Sequence, residues 1–294
     1  MKNVLIEPVG ITYDRYRLGL LLSRLVKVHR LQEVLELTFG VEKAMPYFYS
    51  LPLALSGCKI FLAGKDSQLR KAVGMAWEEL GIGDHLTWLP ESSWDNTNAI
   101  SQRRYDLVWN FVSIARRSDL KATLQGMRNV SRKLVMTVHQ NGFNFGFAWH
   151  RLLHKFFRLP WTHGNLLTFW PSIIKKMYAK VGLKIIEIVP FDSPPWPDPP
   201  GWRDIKWHWH ELQINLAQGR KADMSTGAVN FSNNYEAAQG SSALDLFSMV
   251  PALEYYKSGK FPKWMQTLSF IEDHLRPGIL RYPFSHLFYV LALV

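Results

Sequence analysis

Short apolar runs alternate with helical stretches along most of this chain, and that alternation restricts the fold more than any other feature. Val34–Gly40 reads as a buried strand and the loop that follows it, with one acid, Glu36, near the strand's C-terminal end. Lys59–Ala63 is a second run after Gly57, and Ser67–Leu80 then carries a helical period. Leu86–Leu89 is a third run, closed by Pro90, and Tyr105–Asn110 is a fourth. Asp119–Val130 is helical and Lys133–Val138 is a fifth run. Pro171–Val181 is a helix with a glycine stop at Gly182, and Leu183–Val189 is a sixth strand ending at Pro190. Asp204–Glu211 alternates strictly, with Ile205, Trp207 and Trp209 on one face and Lys206, His208 and His210 on the other. A period of two predicts a half-exposed strand. Strands separated by helices imply right-handed crossovers and a mostly parallel sheet.

The position of Glu36 matters because open α/β sheets bind ligands outside the carboxyl ends of their strands. A helix over Asp14–Val28, with Asp14 as N-cap, precedes that strand. Ser193–Gly201 is proline-rich and reads as a stiff loop. Beyond Leu216, Gly219–Ser242 is polar and loop-like, Ala243–Tyr256 and Lys263–Leu275 look helical, and Arg281–Val294 is an apolar helix or strand that docks on the core.

The order and spacing resemble class I S-adenosylmethionine-dependent methyltransferases over residues 12–212. Val34–Gly40, Gly57–Ala72, Gly81–Glu91, Tyr105–Asn110, Met127–His139 and Ile174–Phe191 carry the likeness. It implies an α/β, Rossmann-like methyltransferase sheet, mostly parallel with the last strand antiparallel. Helices cover both faces, and Asp204–Glu211 serves as the last strand. It implies a domain over 1–215 with an aromatic and basic cap at 142–170, and a mainly helical C-terminal extension over 216–294. The implied cofactor, S-adenosylmethionine, would meet Glu36, Thr38, Gly40, Gly64, Lys65, Asp66, Ser92 and Asn110. The pattern also departs from the family. Its alternate loop glycines fall here on Thr38, Gly40 and Glu42, so one glycine remains where backbone must approach a ligand closely. The second-strand acid is replaced by Gly64-Lys65, with Asp66 following late. The function implied is methyl transfer to a small or lipophilic, anionic acceptor. The alternative is an inactive methyltransferase-fold protein that acts as a binding or scaffold subunit.

Charge narrows the partners. The formal net charge is +11, from 35 Lys and Arg against 24 Asp and Glu. No acid occurs between Leu120 and Ile186, while eleven Lys and Arg do, so the surplus belongs to that one segment. Such a field attracts anionic substrates or an anionic membrane surface. Nucleic acid is less favoured, because Asn110-Phe111-Val112-Ser113 lacks the prolines of an Asn-Pro-Pro-Tyr-like motif. Inside the segment, Trp149, Leu152, Leu153, Phe156 and Phe157 fall at helical spacing over Ala148–Arg158, with His150, Arg151, His154, Lys155 and Arg158 opposite. This helix is either a cap packed on the sheet with its basic face solvated, or a helix lying at a lipid interface or over a lipophilic substrate.

Methyl transfer mainly requires alignment, with a base only where the acceptor must lose a proton. His139 and His150 are the candidate bases, with His154 beside them. Tyr16, Trp149 and Arg151 are the candidate acceptor contacts. No metal site is expected: His208 and His210 lack a clear third ligand. The single cysteine, Cys58, reads as a packing residue in a reducing compartment. With no secretory signal and no run of about 20 apolar residues, a cytoplasmic protein is expected, with peripheral membrane contact open.

Overall fold

The computed structural model describes residues 6–39, 45–63, 67–89, 103–157, 161, 163–193, 243–275 and 281–294. The strands are β1 (Glu33–Leu37), β2 (Lys59–Ala63), β3 (Leu86–Leu89), β4 (Tyr105–Phe111), β5 (Ser131–Gln140), β6 (Lys184–Phe191) and β7 (Leu287–Leu293). The helices are α1 (Val9–His29), α2 (Leu51–Leu55), α3 (Ser67–Glu79), α4 (Leu120–Val130), α5 (Phe145–Phe156), α6 (Pro171–Lys180), α7 (Ala243–Met249), α8 (Ala252–Ser258) and α9 (Lys263–Leu275). One sheet holds the strands in the order β3-β2-β1-β4-β5-β7-β6. Pairing is parallel from β3 through β5, and β7 runs antiparallel between β5 and β6. This is the Rossmann-like methyltransferase sheet expected from the chain.

Three elements differ from expectation. The antiparallel position between β5 and β6 is filled by Leu287–Leu293, and Asp204–Glu211 lies outside the described residues. The segment Leu-Phe-Tyr-Val-Leu-Ala-Leu shows no alternation because six of its seven residues are buried, as suits a strand with neighbours on both edges and helices over its faces. Helix α1 begins at Val9 rather than at Asp14. Pro8 sets an extended entry (φ −65°, ψ 155°) and its carbonyl accepts from Thr12 N–H at 3.2 Å. The helix expected over 243–256 is two, α7 and α8, since Pro251 has no N–H to continue the ladder.

Alternate residues of the strands feed two cores. Val34, Ile60, Leu62, Leu107, Trp109, Leu134 and Met136 face Leu18, Leu22 and Leu25 of α1, Val73 and Trp77 of α3, and Leu253 of α8. Leu35, Val108, Val135, Phe288 and Val290 face Leu124 and Met127 of α4 and Ile174 and Tyr178 of α6. At the opposite end of the sheet from the candidate site, Asp106 ties three strands together. It accepts from the backbone N–H of Gln32 at 2.8 Å and pairs with Arg132 at 2.7 Å and Lys133 at 2.9 Å. Burial alone would raise its pKa, but these partners outweigh burial and hold the carboxyl well below the usual carboxylate range. Cys58 packs in the core as expected, and burial pushes its thiol up to about 11.

Candidate functional site

The strand order reverses between β1 and β4, so the carboxyl ends of these two strands form the switch point at which such sheets take ligands. Glu36 lies there, in register with Trp109 of β4 and Leu62 of β2. Its side chain has the parity of Val34 and faces the α1 side of the sheet. Ser50, the N-cap of α2, donates its hydroxyl to Glu36 Oε2, and Trp109 Nε1 donates to Ser50 Oγ at 3.1 Å. Glu36 Oε1 is buried and finds no hydrogen-bond partner among the described residues. Burial pushes this carboxyl up to about 7, against the opposing pull of Ser50 and Arg15.

Arg15 brings the complementary charge. It is fully buried on α1 and forks onto Glu7, with Nε–Oε2 2.9 Å and Nη2–Oε1 2.7 Å. Nη2 also donates to the Met45 carbonyl at 2.6 Å, and the guanidinium sits 4.4 Å from the centre of the Tyr49 ring. Burial disfavours its charge, but Glu7 more than compensates, so its pKa lies above the usual value. Its Nη1 is a second buried atom with no hydrogen-bond partner among the described residues. An orphaned carboxylate oxygen and an orphaned guanidinium nitrogen therefore lie close enough to interact, in one part of the molecule.

Asn110 ends β4 at the same edge, but its groups are engaged. Nδ2 donates to the Leu37 carbonyl at 2.5 Å and to Ser113 Oγ at 2.7 Å, and Oδ1 accepts from Ile114 N–H at 2.8 Å. Ser113 Oγ in turn accepts from Phe39 N–H at 3.0 Å. The result locks the end of β1 to the turn after β4. That turn holds Val112 at φ 59°, a conformation that costs a β-branched residue about 1–3 kcal/mol. Tyr47 in the loop after β1 and Asp192 after β6 also have positive φ. Thr38, just past β1, is half-buried. Gly40, Gly64, Lys65, Asp66 and Ser92 lie outside the described residues.

His139 sits near the end of β5, deep in the core. Its Nε2 is 2.6 Å from Thr137 Oγ1, which is 2.7 Å from the Tyr178 hydroxyl, and its ring stacks on Phe288 at 5.1 Å. Burial lowers its pKa to about 3, so it is neutral at physiological pH and a weak base. Tyr16 is half-buried and packs its ring against Phe261 at 4.8 Å. Asp14 of α1, Asp192 and His286 meet at the edge formed by the end of β6 and the start of β7.

Helix α5 is rotated from the amphipathic reading, so that part of its apolar face is exposed and its two histidines are buried. Its buried residues are Gly146, His150, Leu153 and His154, while Trp149, Leu152 and Phe156 are 51%, 54% and 75% exposed. Arg151 and Lys155 are exposed alongside them. The histidines turn inward because a third, His163, and the indole of Trp161 meet them there. Trp161 lies 5.2 Å from His154 and 4.7 Å from His163, ring to ring.

Arg15, Ser50 and His163 are the site residues that sequence reasoning missed. His150 and His154 stand one turn apart on a helix, a ligand spacing visible in the chain, and that pair could have prompted a search for His163. Arg15 and Ser50 carry no comparable signal, since nothing local marks a buried arginine or an N-cap serine as a neighbour of Glu36.

The sheet order and the switch point define a chain of the Rossmann-like methyltransferase fold. No protein-family model and no curated protein matches it. Among solved structures, magnesium protoporphyrin IX methyltransferase from Synechocystis PCC 6803, with bound SAH, is similar at 14% identity and a TM-score of 0.46. That match covers 65% of this chain and 80% of the other. Geranyl diphosphate methyltransferase in complex with SAM is similar at 14% identity and a TM-score of 0.42, covering 95% of this chain and 84% of the other. Neither carries the assignment of an activity, which rests on this chain's own residues.

Proposed function

We propose that the protein is an S-adenosylmethionine-dependent methyltransferase acting on a small or lipophilic, anionic acceptor. The observation that carries this reading is the pair of orphaned buried atoms, Glu36 Oε1 and Arg15 Nη1, beside the switch point. They suit the ammonium and carboxylate of an amino-acid moiety, which the methionine end of the cofactor has. When bound, that cofactor supplies an already activated sulfonium methyl, so the protein's task is to hold and align. Glu36 would accept from the ammonium, and its carboxyl would ionise fully beside that positive charge. Arg15 would donate to the carboxylate while Glu7 holds the guanidinium in place. Tyr16 and the half-buried Thr38 remain candidates for the walls of the site. His139, neutral and internally bonded, fits alignment of β5 better than proton removal.

The exposed face of α5 supports the lipophilic half of the proposal. Trp149, Leu152 and Phe156 beside Arg151 and Lys155 form an aromatic and basic surface suited to an anionic membrane, where a lipid-like acceptor resides. A second reading, a scaffold subunit without cofactor, is favoured by Asn110, whose polar groups are all engaged internally.

Calorimetric titration with S-adenosylmethionine separates the two. Binding is expected, and Glu36→Ala should weaken it by about 1–3 kcal/mol, the usual loss of a hydrogen bond to a charged group. No heat of binding at millimolar cofactor would overturn the enzyme reading and leave the scaffold.

A further inference from the structure

The geometry points to a site for a divalent transition-metal cation of zinc type, held by His150, His154 and His163. His150 Nε2 lies 3.0 Å from His154 Nε2 and 3.1 Å from His163 Nε2, and the three ligand atoms all fall within 4.8 Å of one another. All three side chains are buried, at 6%, 6% and 9% exposure. The inference is independent of the cofactor reading, because it rests on different residues.

Hydrogen bonding among the imidazoles does not account for this convergence. A ring nitrogen of histidine has one in-plane position, which is either a lone pair or an N–H. A single N–H on His150 Nε2 shared between both neighbours is a bent, weakened arrangement, and it leaves the lone pairs of His154 Nε2 and His163 Nε2 converging on the same point. A cation removes the conflict, since each nitrogen then directs its lone pair at the metal. The distances fit. Zinc–nitrogen bonds of about 2.0–2.1 Å put tetrahedral ligands about 3.3 Å apart, close to the 3.0 and 3.1 Å that separate His150 Nε2 from the other two. Imidazole suits zinc, copper, iron and nickel rather than magnesium or calcium.

The surroundings hold this arrangement in place. His150 and His154 are one turn apart on α5, so they share a side of the helix. His163 arrives from the following segment, which is clamped to the turn after β4. Asn165 N–H donates to the Ala115 carbonyl at 2.7 Å, and Gly164 at φ 81° passes so close that a Cβ there would lie 2.5 Å from that oxygen. Trp161 covers the cluster and is itself fixed by its Nε1 donating to the Gly164 carbonyl at 2.9 Å. Among the described residues no fourth His, Cys, Asp or Glu joins the three. A three-histidine set of this kind leaves a coordination position for water or for an oxygen of a bound molecule, as in catalytic rather than closed structural zinc sites.

The test uses the full chain, stripped with chelator and titrated with ZnCl2 by calorimetry. The same preparation is then titrated with CoCl2 and followed by its visible d–d absorption. One cation per chain and the intense bands of low-coordinate Co2+ are expected. His150→Ala, His154→Ala and His163→Ala should each weaken zinc by more than roughly 100-fold, beyond the range for loss of an outer-sphere partner. His274→Ala, an exposed histidine of α9 outside the cluster, should leave binding unchanged. Circular dichroism identifies any variant that does not fold. In that case zinc protection of the three histidines against diethyl pyrocarbonate in the wild type replaces the variant's result. Absence of the Co2+ bands, modification undiminished by zinc, or equal zinc affinity in wild type and folded variants would overturn the site.

Discussion

Glu36 and Asn110 lie on neighbouring strand ends and illustrate opposite uses of a buried polar side chain. Asn110 has each polar group paired and stabilises a strained turn, whereas Glu36 keeps one oxygen unpaired. That incompleteness has a measurable consequence. Burial raises the folded-state pKa of Glu36 from 4.5 to about 7, so between these values the native chain binds a proton that the unfolded chain has released. Stability therefore falls as pH rises from about 4.5 to 7, by about 3 kcal/mol at most, and stays at the lower level above pH 7. Glu36→Gln removes this titration. Urea unfolding at pH 5 and pH 8 should show the variant gaining on the wild type at pH 8 by more than at pH 5. An equal difference at both pH values would mean that Glu36 is ionised throughout. His139 shares a feature of each: its Nε2 is bonded to Thr137 and its ring stacks on Phe288, while its buried Nδ1 finds no partner among the described residues, and its low pKa records burial rather than a poised base.

At the scale of elements, α5 shows why helical periodicity does not decide orientation. The pattern separates an apolar stripe from a basic one, and the ordinary expectation buries the apolar stripe. Here two histidines of the polar side go inward because His163 and Trp161 complete their surroundings, and Trp149, Leu152 and Phe156 are left outside. If that face meets an anionic membrane, the full chain should co-sediment with vesicles containing phosphatidylserine and not with neutral ones. Binding should weaken as salt rises, because exposed charges are screened over about 8–10 Å near physiological ionic strength. Arg151→Glu with Lys155→Glu should abolish binding while leaving the thermal transition intact. Equal retention on neutral and anionic vesicles would refute the electrostatic part, and no retention on either would refute the lipid contact.

The whole molecule depends on its last strand. β7 pairs with β5 from Leu287 to Leu293 and with β6 over the same residues, so it joins β6 to the rest of the sheet. Phe288 is fully buried and stacks on His139, which precedes it by well over a hundred residues. Phe288→Ala should cost about 3–5 kcal/mol in chemical denaturation, the usual range for emptying a large core site. A loss under about 1 kcal/mol would mean that β7 does not form part of the core. The sequence by itself determined the strands from Val34 to Phe191, the helices α3, α4, α5 and α6 between them and the place of Glu36, because those follow from local period, proline and glycine stops, and chain length; the five-residue α2 is too short to show a period. It did not determine the antiparallel strand. A run buried on both faces has no alternation, and its neighbours in space are far away along the chain. The partners of Glu36, Arg15 and His163 were equally hidden, since each side chain's surroundings come from segments brought together only by the sheet. Tertiary packing alone decides which buried polar atoms find partners and which face of a helix turns inward.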